Sequence, residues 1–213
     1  MIRDARSGDA GFLAEVCLAA ARSHVPTSFW DLLIPASGDD APIEAFLSQL
    51  LLAPQRSWWH HAHFLVAESG GVPAAALSGF AASDPEVRAP EVALVETIRE
   101  HGWTEEQIQG AFVRAAPFLT CNTPPDSEAW LVENVATRAA HRRQGHIARL
   151  LPEILERGRR RGHTRAQLTL MIGNTSAQYA YERVGFRIVS EKRHPDFEAA
   201  IGCPGLAKME CPL

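Results

Sequence analysis

NTSAQYAYERVGF, residues 174–186, follows a run, Ala166–Ile172, in which Leu168 and Leu170 alternate with Gln167 and Thr169. That period of two predicts a strand. Asn174 stands where a helix N-cap accepts an otherwise orphaned backbone N–H, and Thr175–Val184 predicts the helix. Gly185 stops it, since glycine takes the left-handed closing conformation without a Cβ penalty. Phe186–Ser190 predicts the next strand and Leu206–Glu210 a last short one.

Upstream, Trp130–Thr137 reads as a strand and Gln144–Arg161 as a helix with Ile147, Leu150, Leu151, Ile154 and Leu155 on one face. Between them lies RRQGHI, residues 142–147. A strand, a basic glycine-containing loop and a helix start can make an anion site. The first-turn N–H groups lack intrahelical partners and sit at the positive end of the helix dipole. Gly145 lets a ligand approach the main chain, and Arg142 and Arg143 can pair with phosphate oxygens. Alone, such a loop is equally the start of a basic helix. Nine arginines but only two acids, Glu153 and Glu156, fall between Arg138 and Arg165. That excess needs a polyanionic ligand or a solvated face. Pro152 is expected to kink the helix, at ~3 kcal/mol against a good helix former.

In this order, RRQGHI and NTSAQYAYERVGF resemble the two motifs of the GNAT acetyltransferase superfamily, Gln/Arg-x-x-Gly-x-Gly/Ala and Asn-x-x-Ala-(x)-Tyr-(Glu)-(Lys/Arg)-x-Gly-Phe. The second match is close and the first partial, with Ile147 where the family carries Gly or Ala. The resemblance covers residues 130–190, and IRDARSGDAGFLAEV (residues 2–16) is similar to the family's first strand and helix. It implies an α/β fold with a central mixed, largely antiparallel sheet flanked by helices, and a splayed strand before a CoA pyrophosphate loop. It further implies that acetyl-CoA is the co-substrate. The amides of Arg143, Gln144, Gly145, His146, Ile147 and Ala148, with Arg142 beside them, would take the diphosphate. The backbone of Val135, Ala136 and Thr137 would pair with the pantetheine arm, Asn174 and Ala177 would lie along it, and Tyr181 would protonate the departing thiolate. A branched Ile147 would crowd the diphosphate unless it turns into the core.

Nearer the N-terminus, Ile2–Arg6 predicts an edge strand, and Asp9 opens a helix with Phe12, Leu13, Val16 and Cys17 at helical spacing. Residues 25–42, with three prolines, predict a loop, and Ile43–Leu52 a second helix. Phe64–Glu68 and Pro73–Phe80 predict a hairpin turned by Gly70-Gly71. Residues 81–128 read as a helical insertion, with helices over Val92–His101 and Glu105–Ala116 and a capping box from Thr104 to Gln107. Residues 1–213 are expected to form a single acyltransferase domain around this insertion. Residues 191–205 read as a polar, turn-rich tail.

Direct transfer to an amine needs a base, because a free alkyl amine with pKa ~10 is mostly protonated at neutral pH. Glu133, on the strand before the basic loop, is the candidate base; the alternative is a surface residue paired with an arginine. Tyr181 is the candidate acid, against a plain core role, and Tyr179 should point elsewhere. His60, His61 and His63 have no carboxylate or thiol at ligand spacing and read as surface histidines, so no metal is expected. Arg157, Arg159, Arg160 and Arg161 read as a solvated helix end. Net charge is -4, and no nucleic-acid motif accompanies the arginines, so no nucleic-acid partner is expected. The four cysteines form no CxxC pair, no apolar run approaches membrane-span length, and the N-terminal residues lack a signal-peptide core. A cytoplasmic enzyme acting on a small-molecule or peptide amine, without a membrane partner, is the expectation, with a homodimer among the open oligomeric states. The competing readings are a non-catalytic acyl-CoA-binding module of the same fold, and transfer of a longer acyl chain.

Overall fold

The computed structural model describes residues 1–34 and 38–213. Seven strands form one sheet: β1 (Ile2–Asp4), β2 (Phe64–Ser69), β3 (Val72–Ala81), β4 (Trp130–Thr137), β5 (Arg165–Met171), β6 (Arg187–Arg193) and β7 (Gly205–Pro212). Their order is β1-β2-β3-β4-β5-β7-β6. Only β4 and β5 run parallel; every other neighbouring pair is antiparallel. The mixed sheet expected from the sequence is therefore the sheet observed.

Among the described residues, eight α-helices cover it: α1 (Ala10–Arg22), α2 (Phe29–Leu33), α3 (Ala41–Leu52), α4 (Pro90–Glu100), α5 (Glu105–Leu119), α6 (His146–Arg160), α7 (Thr175–Glu182) and α8 (Pro195–Ile201). Side chains of successive strand residues point to opposite faces, and two cores follow. On one face, Phe64, Val66 and Ala76 pack with α1 to α5. On the other, Leu65, Ala67, Ala75, Leu77 and Trp130 pack with α6, α7 and β7. Trp130 is fully buried where α6 meets the sheet. A Cβ on Gly79 or Gly158 would come within 2.9 or 2.7 Å of its ring, so glycine on β3 and on α6 lets the helix lie directly on the strand.

Two sequence expectations change. The loop expected at 25–42 contains α2, which Ser28 and Asp31 open through reciprocal capping bonds, and the part of that loop at residues 35–37 lies outside the described residues. The expected tail contains α8, capped by the His194 side chain and closed by left-handed Gly202, with Phe197 and Ile201 buried one turn apart. These helices are five and seven residues long, too short to form without the packing that tertiary structure supplies. Pro152 does not end its helix. It sits inside α6 on the exposed side, and the helix continues through to Arg160. Ala148, whose carbonyl loses the bond, is also exposed, so water can take it.

The 81–128 segment supplies α4 and α5, which pack into the α1–α3 core. Thr104 and Gln107 form the expected capping box. On α5, Arg114 donates to the Leu32 and Leu33 carbonyls at 3.1 and 3.2 Å, satisfying the end of α2. A third small core joins Phe118 on α5, Leu32 on α2, and Phe197 and Ile201 on α8 against Met171 and Leu206. Three connections that the sequence leaves separate therefore form one wall over the C-terminal end of β5.

Candidate active site

The parallel pair is short. β4 and β5 are joined only at Trp130–Ala166 and Leu131–Gln167, although β4 runs to Thr137 and β5 to Met171. Beyond Leu131 the strands part, and the sheet opens into a wedge. On the β4 side the wedge is bordered by Val135, Ala136 and Thr137, and beyond them by the basic loop.

That loop is built for an anion. After a short turn, Ala139–His141, Arg143 adopts φ 61° and Gly145 φ 74°. Alternation through left-handed positions curls successive N–H groups toward one side, as in an anion-binding nest. Among the described residues, neither a side-chain cap nor a main-chain acceptor meets the N–H groups of Arg143, Gln144, Gly145, His146, Ile147 or Ala148; the first N–H to find one is Arg149, to the Gly145 carbonyl at 3.2 Å. A Cβ on Gly145 would meet no atom within 4 Å, so open space lies before the turn. Arg142 and Arg143 are exposed with no carboxylate partner among the described residues. The residues present fit a diphosphate: unpaired donors, a helix N-terminus and two exposed guanidinium groups, of which Arg142 donates to the Thr137 carbonyl at 3.4 Å.

Two side chains of the loop point away from it. Ile147 is half-buried and packs into the α6–α7 core, which removes the crowding that its branched shape threatened. The His146 ring is buried; its Nδ1 lies 2.9 Å from Arg149 and its Nε2 3.4 Å from Gln144. Burial, then the neighbouring Arg149, lowers its pKa. Its contribution to the loop is its amide.

At the narrow end of the wedge is Glu133. No ion pair or hydrogen bond reaches its carboxylate among the described residues, so the surface-pair alternative fails. Burial raises its pKa to about 7. Desolvation disfavours the charged form, and no cation offsets it. Its charge is felt by Cys17 on α1 and by Tyr181 on α7, two groups on opposite faces of the sheet. Tyr181 is buried, packs edge-on against Phe186, and has its pKa raised by burial and then by Glu133. Its hydroxyl takes no hydrogen bond from a described residue. Tyr179 is 63% exposed, as its position two residues away requires.

Asn174 caps α7, its Oδ1 accepting the Ala177 N–H at 3.1 Å, while its Nδ2 donates to Ser23 at 2.6 Å. Ala177 lies half-buried beneath. The sequence reading missed Ser23, the positive-φ residue that ends α1, and Arg138. Arg138 holds Glu15 of α1 through two bonds of 2.7 Å and stacks on Phe12, fixing the end of β4 against α1. A lone Arg and a lone Ser carry no spacing signal, so neither was visible in one dimension.

Elsewhere, the histidine reading needs correction. His63 is buried against Phe80, while His61 bonds to the Leu51 carbonyl. The helix-end arginines are partly paired: Arg157 reaches Asp4 of β1, and Arg159 and Arg160 reach Glu156. All four cysteines are free and buried. Among the described residues, no helix is long and apolar enough to cross a membrane.

The acetyltransferase (GNAT) family model matches residues 28–186, taking in the wedge, the basic loop and the stretch from Asn174 to Phe186. The chain belongs to the GNAT family. The GNAT match extends well upstream of residues 130–190, so α2 to α5 fall within it. Solved structures agree on the fold. An acetyltransferase crystal structure superposes with a TM-score of 0.68 at 18% identity, covering 100% of this chain and 98% of the other. An N-acetyltransferase from Staphylococcus aureus Mu50 gives 0.67 at 18% identity, with 100% of both chains covered. The yncA protein of Salmonella typhimurium, solved with its cofactor acetyl-CoA, gives 0.53 at 15% identity, covering 100% of this chain and 93% of that one. No curated protein matches the sequence.

Proposed function

We propose that this GNAT chain is an acetyl-CoA-dependent N-acetyltransferase that transfers the acetyl group directly to a primary amine of a small molecule or an amino terminus. The observation that carries this reading is the row of unpartnered N–H groups from Arg143 to Ala148 at the mouth of the β4–β5 wedge. In this reading the loop amides, with Arg142 and Arg143, hold the diphosphate. The parted edge of β4 at Val135, Ala136 and Thr137 pairs with the pantetheine amides, and Asn174 and Ala177 border the arm. The thioester then lies at the narrow end, between Glu133 and Tyr181.

Chemistry at that end follows from two proton affinities. With a pKa near 7, Glu133 is a strong enough base to take a proton from an ammonium group, directly or through water, yet is largely ionised above neutrality. Tyr181, its pKa raised, keeps its proton until a thiolate develops beside it. A backbone N–H near Val135 stabilises the oxyanion. The module reading drew its support from a relaxed loop around Ile147; with that side chain in the core, the loop is intact and the catalytic reading is favoured.

Release of free CoA thiol on a panel of small amines and peptide amino termini tests the proposal, alongside thermal shift with acetyl-CoA. Saturating acetyl-CoA, at about 100 times Kd, should add ~2.7 kcal/mol of stability, and at least one amine should be turned over. No stabilisation would remove the cofactor assignment; stabilisation without turnover on any acceptor would leave only a binding module.

A further inference from the structure

Resting on the transfer reading above, we propose that Ser78 and Asn134 are positioning residues, a polar clip that holds a bulge in β4 and thereby aims the main chain of Asn134 and Val135 into the wedge. The register of β3 against β4 jumps at this point: Ala76 faces Ala136, but Ser78 faces Glu133. Asn134 and Val135 thus both stand opposite Leu77. One extra residue on one strand leaves a residue out of the ladder and bends that strand. Asn134 meets the bend with φ 54°, a left-handed conformation that asparagine tolerates better than branched residues.

The side chains explain why the bulge sits there. Ser78 is wholly buried on β3. Its hydroxyl donates to the Glu133 carbonyl at 3.2 Å and accepts from the Asn134 Nδ2 at 3.1 Å. One hydroxyl therefore grips the strand on both sides of the turn, at the peptide joining the candidate base to the bulged residue. A regular strand would continue Glu133's alternation through Val135 and keep the edge of β4 in register with β3. The clip instead re-aims two peptide groups where β4 leaves β5. Neither residue needs to touch substrate; both act through the backbone between Glu133 and Val135.

The test pairs Ser78→Ala with Asn134→Gly, which keeps the left-handed backbone accessible while deleting the amide. Each should lower kcat roughly tenfold to a hundredfold, up to the loss that about 1 Å of misplacement causes. The acetyl-CoA Kd should rise by less than kcat falls, because the loop from Arg143 to Ala148 is untouched and only Val135 of the pantetheine-pairing edge moves. Rates are normalised to acetyl-CoA-binding sites, so loss of folded protein does not count. The double variant should be no slower than the worse single one, as for two residues of one device, and Ser78→Thr, which keeps the hydroxyl, should recover most of the rate. Wild-type kcat in either single variant, or losses that multiply, would overturn the clip. A crystal structure of Ser78→Ala reads the device without activity. A β4 that keeps Asn134 at positive φ in the same register would refute the clip even if the chain acetylates nothing; loss of the bulge would uphold it while the transfer reading stood or fell separately.

Discussion

Replacing Glu133 by glutamine should slow the enzyme and, above neutral pH, stabilise it. Burial raises the carboxyl from its ordinary 4.5 to about 7, so the folded state binds this proton more tightly than the unfolded state does. Between those values stability must fall as pH rises, and above about 7 the whole penalty is present. At about 1.36 kcal/mol per pKa step the penalty is ~3 kcal/mol. The side chain is only partly buried at the narrow end of the wedge, and residual solvent screening reduces this to about 1–2 kcal/mol. Glutamine is neutral at every pH and escapes it. For a chain of this length, 1 kcal/mol moves Tm by roughly 2–4 °C. Glu133→Gln should then melt roughly 2–8 °C above the parent at pH 8.5, and within about a degree or two of it at pH 4.5, where the parent's carboxyl is protonated in the fold and half protonated when unfolded. In the proposed mechanism the same substitution removes the base. With an acceptor whose own pKa lies outside the range, parental kcat/KM should climb about tenfold per pH step up to about 7 and then level, and the variant should lack that climb. Scanning fluorimetry and thiol release at both ends of the range decide it. A melting difference that does not change with pH would refute the burial argument, and an unaltered pH profile would remove Glu133 as base.

Other substitutions probe the rest of the site. Gly145→Glu has open space before it but adds a carboxylate at the diphosphate and a left-handed non-glycine residue; the acetyl-CoA Kd measured by calorimetry should rise by roughly a hundredfold or more. Tyr181→Phe keeps the packing against Phe186 and should lower kcat roughly tenfold with Kd unchanged; equal turnover would exclude the hydroxyl from proton transfer. His63, with its pKa lowered to about 4 chiefly by burial, is neutral in the fold but charges when unfolded. Stability it leaves intact above about 6.5 should therefore drain by about 2–3 kcal/mol as pH falls to 4, and urea melts of His63→Leu should lose that slope.

Much of the site could be read in one dimension because its decisive contacts are local. Asn174 caps the helix that it precedes, Gly185 ends it, and the amides from Arg143 to Ala148 belong to one turn. Ile147 was legible as well, since its place on the apolar face of α6 pointed it inward. Residues acting across the fold were not legible. Arg138 and Glu15 meet from positions 123 apart, and Ser78 and Asn134 from positions 56 apart. Helices α2 and α8 were invisible for a related reason: their stability comes from one another and from α5, through Phe118, Leu32 and Phe197.

From the chain alone came the strand–loop–helix order, the free donors of the basic turn and the capped helix after β5, because hydrogen-bond satisfaction within a few residues depends on little else. Only the folded molecule decided that β4 and β5 part after two residue pairs, that Glu133 is stripped of water without a cation beside it, and that a buried serine pins the bend in β4. Those properties depend on which surfaces exclude solvent, and solvent exclusion is settled by packing between segments far apart in sequence.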